Sequence, residues 1–437
     1  MYFITISFAQ APDTLWTRAF GDAYRDQAFE VQQTSDGGYI MCGFLSSTQT
    51  WSYNVYLIKT DSLGNKIWAV DYGGADDDIG YSVCETSDGG YIASGSTMSF
   101  GVGWREAFLL RLNANGDTLW TKSYGWTNAQ NTAYTVRETP DSCFLLVGST
   151  IAKTLLIKTD TNGDTLWLRE LGMTHRTHGY SADLTSDGGC LIGGVIYRDG
   201  HYDFHLMKVN SFGDSLWALS YGGGATDEHC YCIRETSDGG CIAVGGWNMF
   251  DDRRASSAYA VKTDSNGIYL WERTYGGGLN AIAHAVEQTE DGGFIITGYT
   301  SGIDYYDVYL IRTDPNGDTL WTTTIGGQGT DWGHSVSITP DHCYVIAGWT
   351  TAFGAGNRDA WLIKTEPDLY GIEEKTLRTK KYDFTPTIVN GPLQLPEDKN
   401  CRVFDITGRV VMLGKIKPGI YFIELDGKIT QKVIKIR

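Results

Sequence analysis

Short apolar runs separated by polar turn residues recur along this chain, and apolar and polar positions alternate within many of the runs. In one stretch the runs occupy residues 81–86, 91–95, 107–112 and 118–124. Alternation with a period of two is typical of a half-buried β-strand, and no segment keeps a convincing helical period. The pattern therefore predicts an all-β protein.

Seven tryptophans show that this stretch is one copy of a repeat. Each lies in a near-copy of Gly-Asp-Thr-Leu-Trp, and successive copies are 47 to 54 residues apart. Every copy also has a Thr-x-Asp pair, such as Thr86 and Asp88, and a later basic residue, such as Arg111. Four short strands repeated at this period are typical of β-propeller blades. The tryptophans are Trp16, Trp68, Trp120, Trp167, Trp217, Trp271 and Trp321.

Two tight turns order the strands within each blade. The Ser-Asp-Gly-Gly segment at 87–90 and the Asn-Gly-Asp segment at 115–117 favour short connections between neighbouring strands. The longer, glycine-rich segment at 72–80 suits a crossing to the next blade. The strand at 81–86 is therefore predicted to be innermost, with Tyr81, Val83 and Glu85 on one face. The tryptophan strand is predicted to be outermost.

The two ends of the repeat region predict how the ring closes. The chain enters at residues 13–16 with no preceding strand, and it leaves at residues 361–366 with no following tryptophan strand. The first strand, which contains Trp16, would complete the last blade and give a closed, seven-bladed β-propeller over residues 12–366. The alternative is an open solenoid, which needs capping units that the sequence does not show.

The charge of the chain excludes one class of partner. Residues 367–437 carry 13 basic and 9 acidic side chains, so the remainder accounts for −21 against the total of −17. Nucleic-acid binding depends on Lys and Arg neutralising phosphates, so nucleic acid is not an expected partner. No apolar stretch has membrane-spanning length, and we expect a monomer without a membrane span.

The first eleven residues and the cysteines bear on location. Residues 1–11 are apolar and end in small residues, so we interpret them as the remnant of a truncated signal peptide. The nine cysteines contain no Cys-x-x-Cys pair. Small buried thiols are favoured over a disulfide framework.

The end of the chain predicts a second domain. Residues 367–384 have the mixed charge of a linker, and residues 385–437 contain three strand-like segments. The motifs at 404–409, 418–422 and 432–436 resemble the C-terminal sorting domain of bacterial type IX secretion substrates. Asn390-Gly391-Pro392 stands where that family usually has Asn-Pro. The resemblance implies a small Ig-like β-sandwich, engagement of the type IX machinery through residues 385–437, and a secreted or surface-attached protein. An ordinary Ig-like accessory domain is the alternative.

The blades are also similar to the tryptophan-docked repeats of quinoprotein-type propellers, as in residues 88–92 followed by Leu119-Trp120. This resemblance concerns the scaffold. Quinoprotein dehydrogenases hold a quinone with calcium ligands and a stacking tryptophan, and those residues have no match here. No cofactor is predicted.

Aromatic residues are concentrated in the loops of variable length. These loops share one end of the predicted propeller with the crossings between blades, and variable loops are where binding residues usually lie. Exposed rings there could bind an extracellular glycan or protein, or they could fold back to cover the blade ends. The candidates are Trp51, Trp104, Tyr202, Trp247, Tyr305 and Trp349.

Four histidines recur on consecutive inner strands at related positions: His178, His229, His284 and His334. Imidazoles at the mouth of the channel could bind a divalent metal ion. The alternative is that they pack between neighbouring blades.

No catalytic motif with an established mechanism is present. The leading hypothesis is therefore a secreted or surface-attached propeller that binds an extracellular glycan or protein. An extracellular hydrolase, lyase or oxidoreductase acting at the channel mouth is one alternative. A purely structural surface-layer component is another.

Overall fold

The computed structural model describes residues 10–46, 52–102, 104–125, 130–172, 175–222, 226–249, 256–276, 280–302 and 305–368, together with short segments of the last fifty residues. The chain divides into two compact units, Met1–Gly371 and Ile372–Arg437. The described residues contain strands, bridges and turns and no helix, so none of them forms a helix long and apolar enough to span a membrane.

The first unit consists of seven four-stranded antiparallel sheets. The innermost strands are β2 (Asp26–Gln33), β6 (Asp78–Glu85), β10 (Thr132–Glu138), β14 (Arg176–Leu184), β18 (His229–Glu235), β22 (Ala281–Gln288) and β26 (Asp331–Ile338). The second strands are β3 (Tyr39–Ser46), β7 (Tyr91–Thr97), β11 (Phe144–Ser149), β15 (Cys190–Arg198), β19 (Cys241–Trp247), β23 (Phe294–Ser301) and β27 (Tyr344–Thr350).

The two outer positions of each sheet follow the same rule. The third strands are β4 (Tyr53–Thr60), β8 (Glu106–Leu112), β12 (Thr154–Thr159), β16 (His201–Val209), β20 (Ser257–Thr263), β24 (Tyr306–Thr313) and β28 (Asp359–Thr365). The outermost strands are β5 (Lys66–Tyr72), β9 (Thr118–Tyr124), β13 (Thr165–Leu171), β17 (Ser215–Tyr221), β21 (Tyr269–Tyr275), β25 (Thr319–Ile325) and β1 (Thr14–Phe20).

The ring closes as the sequence predicts. The strand order of the seventh sheet is β1-β28-β27-β26, so the first strand of the chain completes the last blade. Thr17 of β1 lies opposite Ile363 of β28 in an antiparallel ladder. The all-β, seven-bladed propeller is confirmed. The crossings and variable loops lie at one end of the ring, the variable face, and the tight turns lie at the other, the turn face.

Each outer tryptophan docks on the next blade. The indole N–H of Trp68 donates to the carbonyl of Ala114 at 3.3 Å, and Trp271 does the same to Pro315 at 3.2 Å. Gly116 in the receiving turn has φ 85°, and a Cβ there would lie 2.9 Å from the Trp68 ring. Glycine is therefore required at this position both by the backbone and by the docked indole.

The contact between the sixth and seventh blades differs, because the seventh blade has no Asn-Gly-Asp turn to receive the tryptophan. Trp321 is buried there and packs against Tyr344, with ring centroids 6.2 Å apart. The Tyr344 hydroxyl donates to Asp368 at 2.5 Å, and Arg312 lies 3.3 Å from the same carboxylate. The segment just after β28 therefore takes the place of the missing turn.

In all seven blades the aspartate of the repeated Thr-x-Asp pair forms an ion pair with the repeated basic residue. In the fifth blade Lys262 is buried and its ammonium lies 2.8 Å from Asp238. Thr236 donates to the same carboxylate at 2.6 Å. Burial by itself would raise the pKa of Asp238, but the hydrogen bonds from Lys262 and Thr236 outweigh it and lower this pKa to about 2. The motif thus neutralises a cation in each blade, and this cation is buried in every blade except the third, where Lys158 is half-buried.

The eight cysteines whose side chains the structure describes are free thiols, and seven of them are buried. Burial raises the pKa of the Cys190 and Cys230 thiols, which keeps them protonated.

The second unit contains one described sheet of order β29-β32-β31-β30. Its strands are β29 (Thr387–Val389), β30 (Cys401–Asp405), β31 (Gly419–Leu425) and β32 (Lys428–Lys435). Val403, Tyr421 and Ile423 form its apolar core with Ile416. The sandwich and the sorting role stay predictions.

We predict that Asp238→Asn destabilises the propeller by about 1–3 kcal/mol at pH 7, because it leaves the Lys262 ammonium buried without its carboxylate. The estimate is below that for a fully buried pair because the Asp238 side chain is 56% exposed. Because the pKa of the Asp238 carboxyl is lower in the folded protein, the carboxylate stabilises the fold at pH values above 3.8. This contribution is lost as the pH falls toward 2. The difference between wild type and variant should therefore disappear over that range in urea unfolding.

Asp164→Asn is the matched control, because Asp164 pairs with Lys122 on the exposed surface. Surface pairs contribute less than about 1 kcal/mol. Equal losses in the two variants would show that the buried cation has no special importance.

Candidate functional site: the channel and the variable face

A closed ring of seven aromatic side chains lines the central channel. Each inner strand contributes one residue, and each ring contacts the next around the circle, with centroid distances from 4.6 to 6.1 Å. All seven are partly exposed. We call this ring the collar: Phe29, Tyr81, Tyr134, Tyr180, Tyr231, His284 and His334.

A β-bulge places each collar residue in the channel. In β6 the pairing register shifts between Gly80 and Ser82, so Tyr81 has no partner on β7. Val83, by contrast, is buried in the core between blades. The expectation that Tyr81 and Val83 share a face is therefore wrong, because a bulge interrupts the alternation.

The residue after the bulge ties neighbouring inner strands together. The Val136 N–H donates to the Ser82 hydroxyl at 3.2 Å, and the Ile233 N–H donates to Ser181 at 3.2 Å. The Val83 N–H donates to the Glu30 carboxylate at 2.9 Å. Side chains of one blade thus satisfy the free edge of the next, which would otherwise be an unpaired strand edge.

Two collar members are neutral imidazoles. The rings of His284 and His334 stack with centroids 4.6 Å apart. His284 Nδ1 lies 2.9 Å from the Gly333 carbonyl, which can only accept, so Nδ1 carries the proton. Burial lowers the pKa of His284 to about 4. Burial, together with His284 and Arg358, lowers the pKa of His334 well below its ordinary value. The collar therefore carries no positive charge at neutral pH.

Charged side chains lie below the collar, toward the turn face. Arg137 spans the second blade and binds Glu30 of the first at 3.0 Å. Arg234 binds Glu287 of the next blade at 2.7 Å. Asp183 accepts the backbone N–H of Glu235 at 2.9 Å. These five residues form what we call the belt, in which three carboxylates face two guanidinium groups.

Collar and belt enclose an open volume. A cavity of about 380 Å³ is lined by the collar rings together with Glu30, Arg137 and Arg234. A second cavity of about 460 Å³ continues toward the turn face and shares Glu30, Arg234 and Ser335 with the first. The channel thus contains a cavity that is lined by aromatic rings and by charged side chains.

Aromatic contacts continue from the collar to the rim of the variable face. One arm runs from Tyr180 through His229 to Tyr202 and Tyr197. A second arm runs from His284 through Tyr299 to Tyr306. A third leads from Phe29 through Phe44 to Tyr53. The predicted binding face and the channel therefore share one aromatic surface.

The predicted ligand-binding residues differ in exposure. Trp104 is 65% exposed and Tyr305 is 49% exposed. Tyr202 and Trp247 are half-buried. Trp51 lies outside the described residues.

Trp349 is not an exposed ring, contrary to its place among the candidates. It is buried, its ring lies 5.1 Å from that of Trp332, and the Arg358 guanidinium lies 3.7 Å above it. Trp349 therefore has the covering role that was the alternative interpretation. The sequence could not show this, because the arginine above it lies outside β27, just before β28 begins.

The structure does not bring the four predicted metal-binding histidines together. His284 and His334 belong to the collar, whereas His178 stacks on Tyr180 and His229 lies beside Tyr202. Among the described residues no three His, Cys, Asp or Glu side chains are grouped to hold a metal ion.

Acidic residues at the start of inner strands hold the loops of the variable face. Asp26 accepts the N–H groups of Asp22 at 2.8 Å and Ser46 at 3.1 Å. Asp78 and Asp331 each accept a crossing-loop N–H in the same way. Burial raises the pKa of Asp26 to about 6, and the nearby carboxylates of Asp22 and Asp359 add to the shift. These contacts give the acids a structural role.

The collar was missed in the sequence, although a signal exists. Each collar residue stands five positions before the repeated threonine, as Tyr81 does before Thr86. An aromatic residue recurs there in all seven copies. Recurrence at one position of a closed ring predicts seven side chains around one axis.

Comparison with known proteins supports the fold alone. No protein-family model matches the chain, and no curated protein sequence does. The structure is similar to a protein of unknown function from Dyadobacter fermentans, with a TM-score of 0.50 and 11% identity over 81% of this chain and 98% of that one. It is also similar to the WD40 domain of Pan2 from Neurospora crassa, with a TM-score of 0.52 and 12% identity over 82% and 97% of the two chains.

We predict that Arg137→Met destabilises the protein by about 2–4 kcal/mol, because Glu30 is left as an unpaired charge in the channel. The double variant Arg137→Met with Glu30→Gln should cost less than the sum of the two single variants, with a coupling of about 0.5–3 kcal/mol. Urea unfolding measures all three.

Lys153→Met is the control, since Lys153 pairs with Glu170 at the exposed surface. It should change stability by less than about 1 kcal/mol. Additive costs in the double variant would mean that Arg137 and Glu30 do not interact across the channel.

Proposed function

We propose that this propeller is an extracellular binding protein that recognises a glycan through its variable face. The observation that carries the proposal is the set of partly exposed rings at the rim. Trp104, Tyr197 and Tyr305 present from 38% to 65% of their surface to solvent. Aromatic rings offer flat apolar faces on which sugar rings stack, and their polar atoms can bind hydroxyl groups.

The placement of the rings favours an extended ligand. Trp104 precedes the third strand of the second blade, Tyr197 belongs to the fourth blade, and Tyr305 precedes the third strand of the sixth. The arms of aromatic contacts connect the rims of the fourth and sixth blades to the collar. A glycan chain could therefore contact several blades at once.

The resemblance of the C-terminal residues to a sorting domain supports the extracellular assignment. The motifs of residues 385–437 are similar to a type IX sorting domain, and the segments 401–405, 419–425 and 428–435 that carry parts of them are strands of one sheet. We propose that this unit directs secretion or surface attachment.

A protein ligand is the second candidate, and one loop favours it. Phe100 and Trp104 flank Val102, which is 73% exposed. Such an apolar tip is suited to a hydrophobic pocket on another protein. The acidic residues at the variable face serve as loop caps, so catalysis by them is not proposed.

Binding to a panel of immobilised glycans, followed by titration calorimetry with the best one, tests the proposal. Trp104→Ala and Tyr305→Ala should each weaken binding by about five- to tenfold, as expected for losing one stacked ring. Phe212→Ala is the matched control, because Phe212 is 66% exposed but lies in a tight turn on the turn face.

If Phe212→Ala weakened glycan binding to the same extent, the binding site would not be on the variable face. Absence of binding to every glycan, with capture of a protein that depends on Trp104, would favour the second candidate.

A further inference from the structure

The collar and belt have the features of a site for a small organic cation. The collar supplies seven aromatic side chains around one space, and the cavity that they line measures about 380 Å³. The faces of aromatic rings carry negative electrostatic potential and attract alkylammonium groups. A closed ring offers this attraction from several sides, as in aromatic cages.

The charged side chains that line the cavity are Glu30, Arg137 and Arg234. The belt as a whole has three carboxylates and two guanidinium groups, which is an excess of one negative charge. Both guanidinium groups of the belt are already bound by carboxylates, at 3.0 Å for Arg137 and 2.7 Å for Arg234. The two ion pairs are therefore close to neutral, and the third carboxylate of the belt, that of Asp183, gives the belt a net negative charge that favours a cation.

The two imidazoles of the collar add no positive charge of their own. His284 donates its Nδ1 proton to the Gly333 carbonyl and stacks on His334. Neither imidazole is protonated at neutral pH, so neither repels a cation. Nε2 of His334 has no hydrogen-bond partner among the described residues.

The pairing of the hydroxyl groups supports an apolar lining. The Tyr81 hydroxyl interacts with Ser96 of the neighbouring strand, and that of Tyr134 interacts with Ser149 and Thr132. These hydroxyl groups are thus engaged with their own blades. The ring atoms remain to form the walls of the cavity.

We propose that the channel binds a small alkylammonium ion, of the size of a choline headgroup, between the collar rings and the carboxylate of Glu30. This inference concerns the channel and does not depend on glycan binding at the rim. The rim residues Trp104 and Tyr305 are not part of the collar, so the two proposals can fail separately.

Titration calorimetry of the full-length protein with choline tests the proposal. The comparison ligand is the alcohol in which a tert-butyl group replaces the trimethylammonium group, because it has the same shape without the charge. Choline should bind at least about tenfold more tightly, the upper range for desolvated cation–π contacts. This comparison uses only the wild-type protein and so does not depend on the folding of any variant.

Variants then locate the site. Phe29→Leu and Tyr180→Leu keep an apolar side chain but remove a ring, and each should weaken choline binding by about three- to fivefold. Trp104→Ala is the matched control and should leave it unchanged. Melting curves of each variant confirm that the propeller is folded.

The proposal is wrong if choline does not bind, if the uncharged alcohol binds as tightly as choline, or if acetate binds in place of choline with sensitivity to Tyr180→Leu. Choline binding that persists in both collar variants would also reject the channel as its location.

Discussion

The antiparallel pairing of β1 with β28 is the contact on which the rest of the structure depends. It joins the two ends of the repeat region and turns a linear array of blades into a ring. Because the ring is closed, every inner strand faces the same axis. Seven side chains at one repeat position therefore meet as the collar, which an open array would spread along a curved surface.

Contacts between blades extend this constraint around the ring. The indole of one blade docks on the glycine turn of the next, and Ser82 or Glu30 satisfies the free N–H of the next inner strand. Each blade thus stabilises its neighbour at the rim and at the axis. The same chemistry at successive seams explains why the tryptophan and its turn recur together in the sequence.

Features repeated at fixed spacing could be predicted from the sequence, and features that depend on distant contacts could not. The tryptophans, the Thr-x-Asp pairs and the closing strand follow from the period. The bulge at Tyr81 could not be seen, since alternation assumes one partner for each residue. The burial of Trp349 depends on Arg358 above it, whereas Trp104 in a loop of similar composition is exposed.

The two proposed sites have different physical characters. The rim presents single exposed rings to solvent, which suits a large ligand that can contact several blades. The channel presents partly buried rings and paired charges, which suits a small ion. The arms of aromatic contacts from Tyr180 and His284 connect the two regions.

A disulfide across the closing seam tests the ring most directly. Thr17 and Ile363 are paired residues of β1 and β28, and paired antiparallel residues have Cα separations of about 4.5–5.5 Å, within the range that a disulfide spans. With cysteine at both positions, peptide mapping should find an intramolecular bond between residues 17 and 363, and oxidation should raise the melting temperature above that of the reduced protein. Failure to form this bond, or its formation only between separate molecules, would contradict the closed seven-bladed ring.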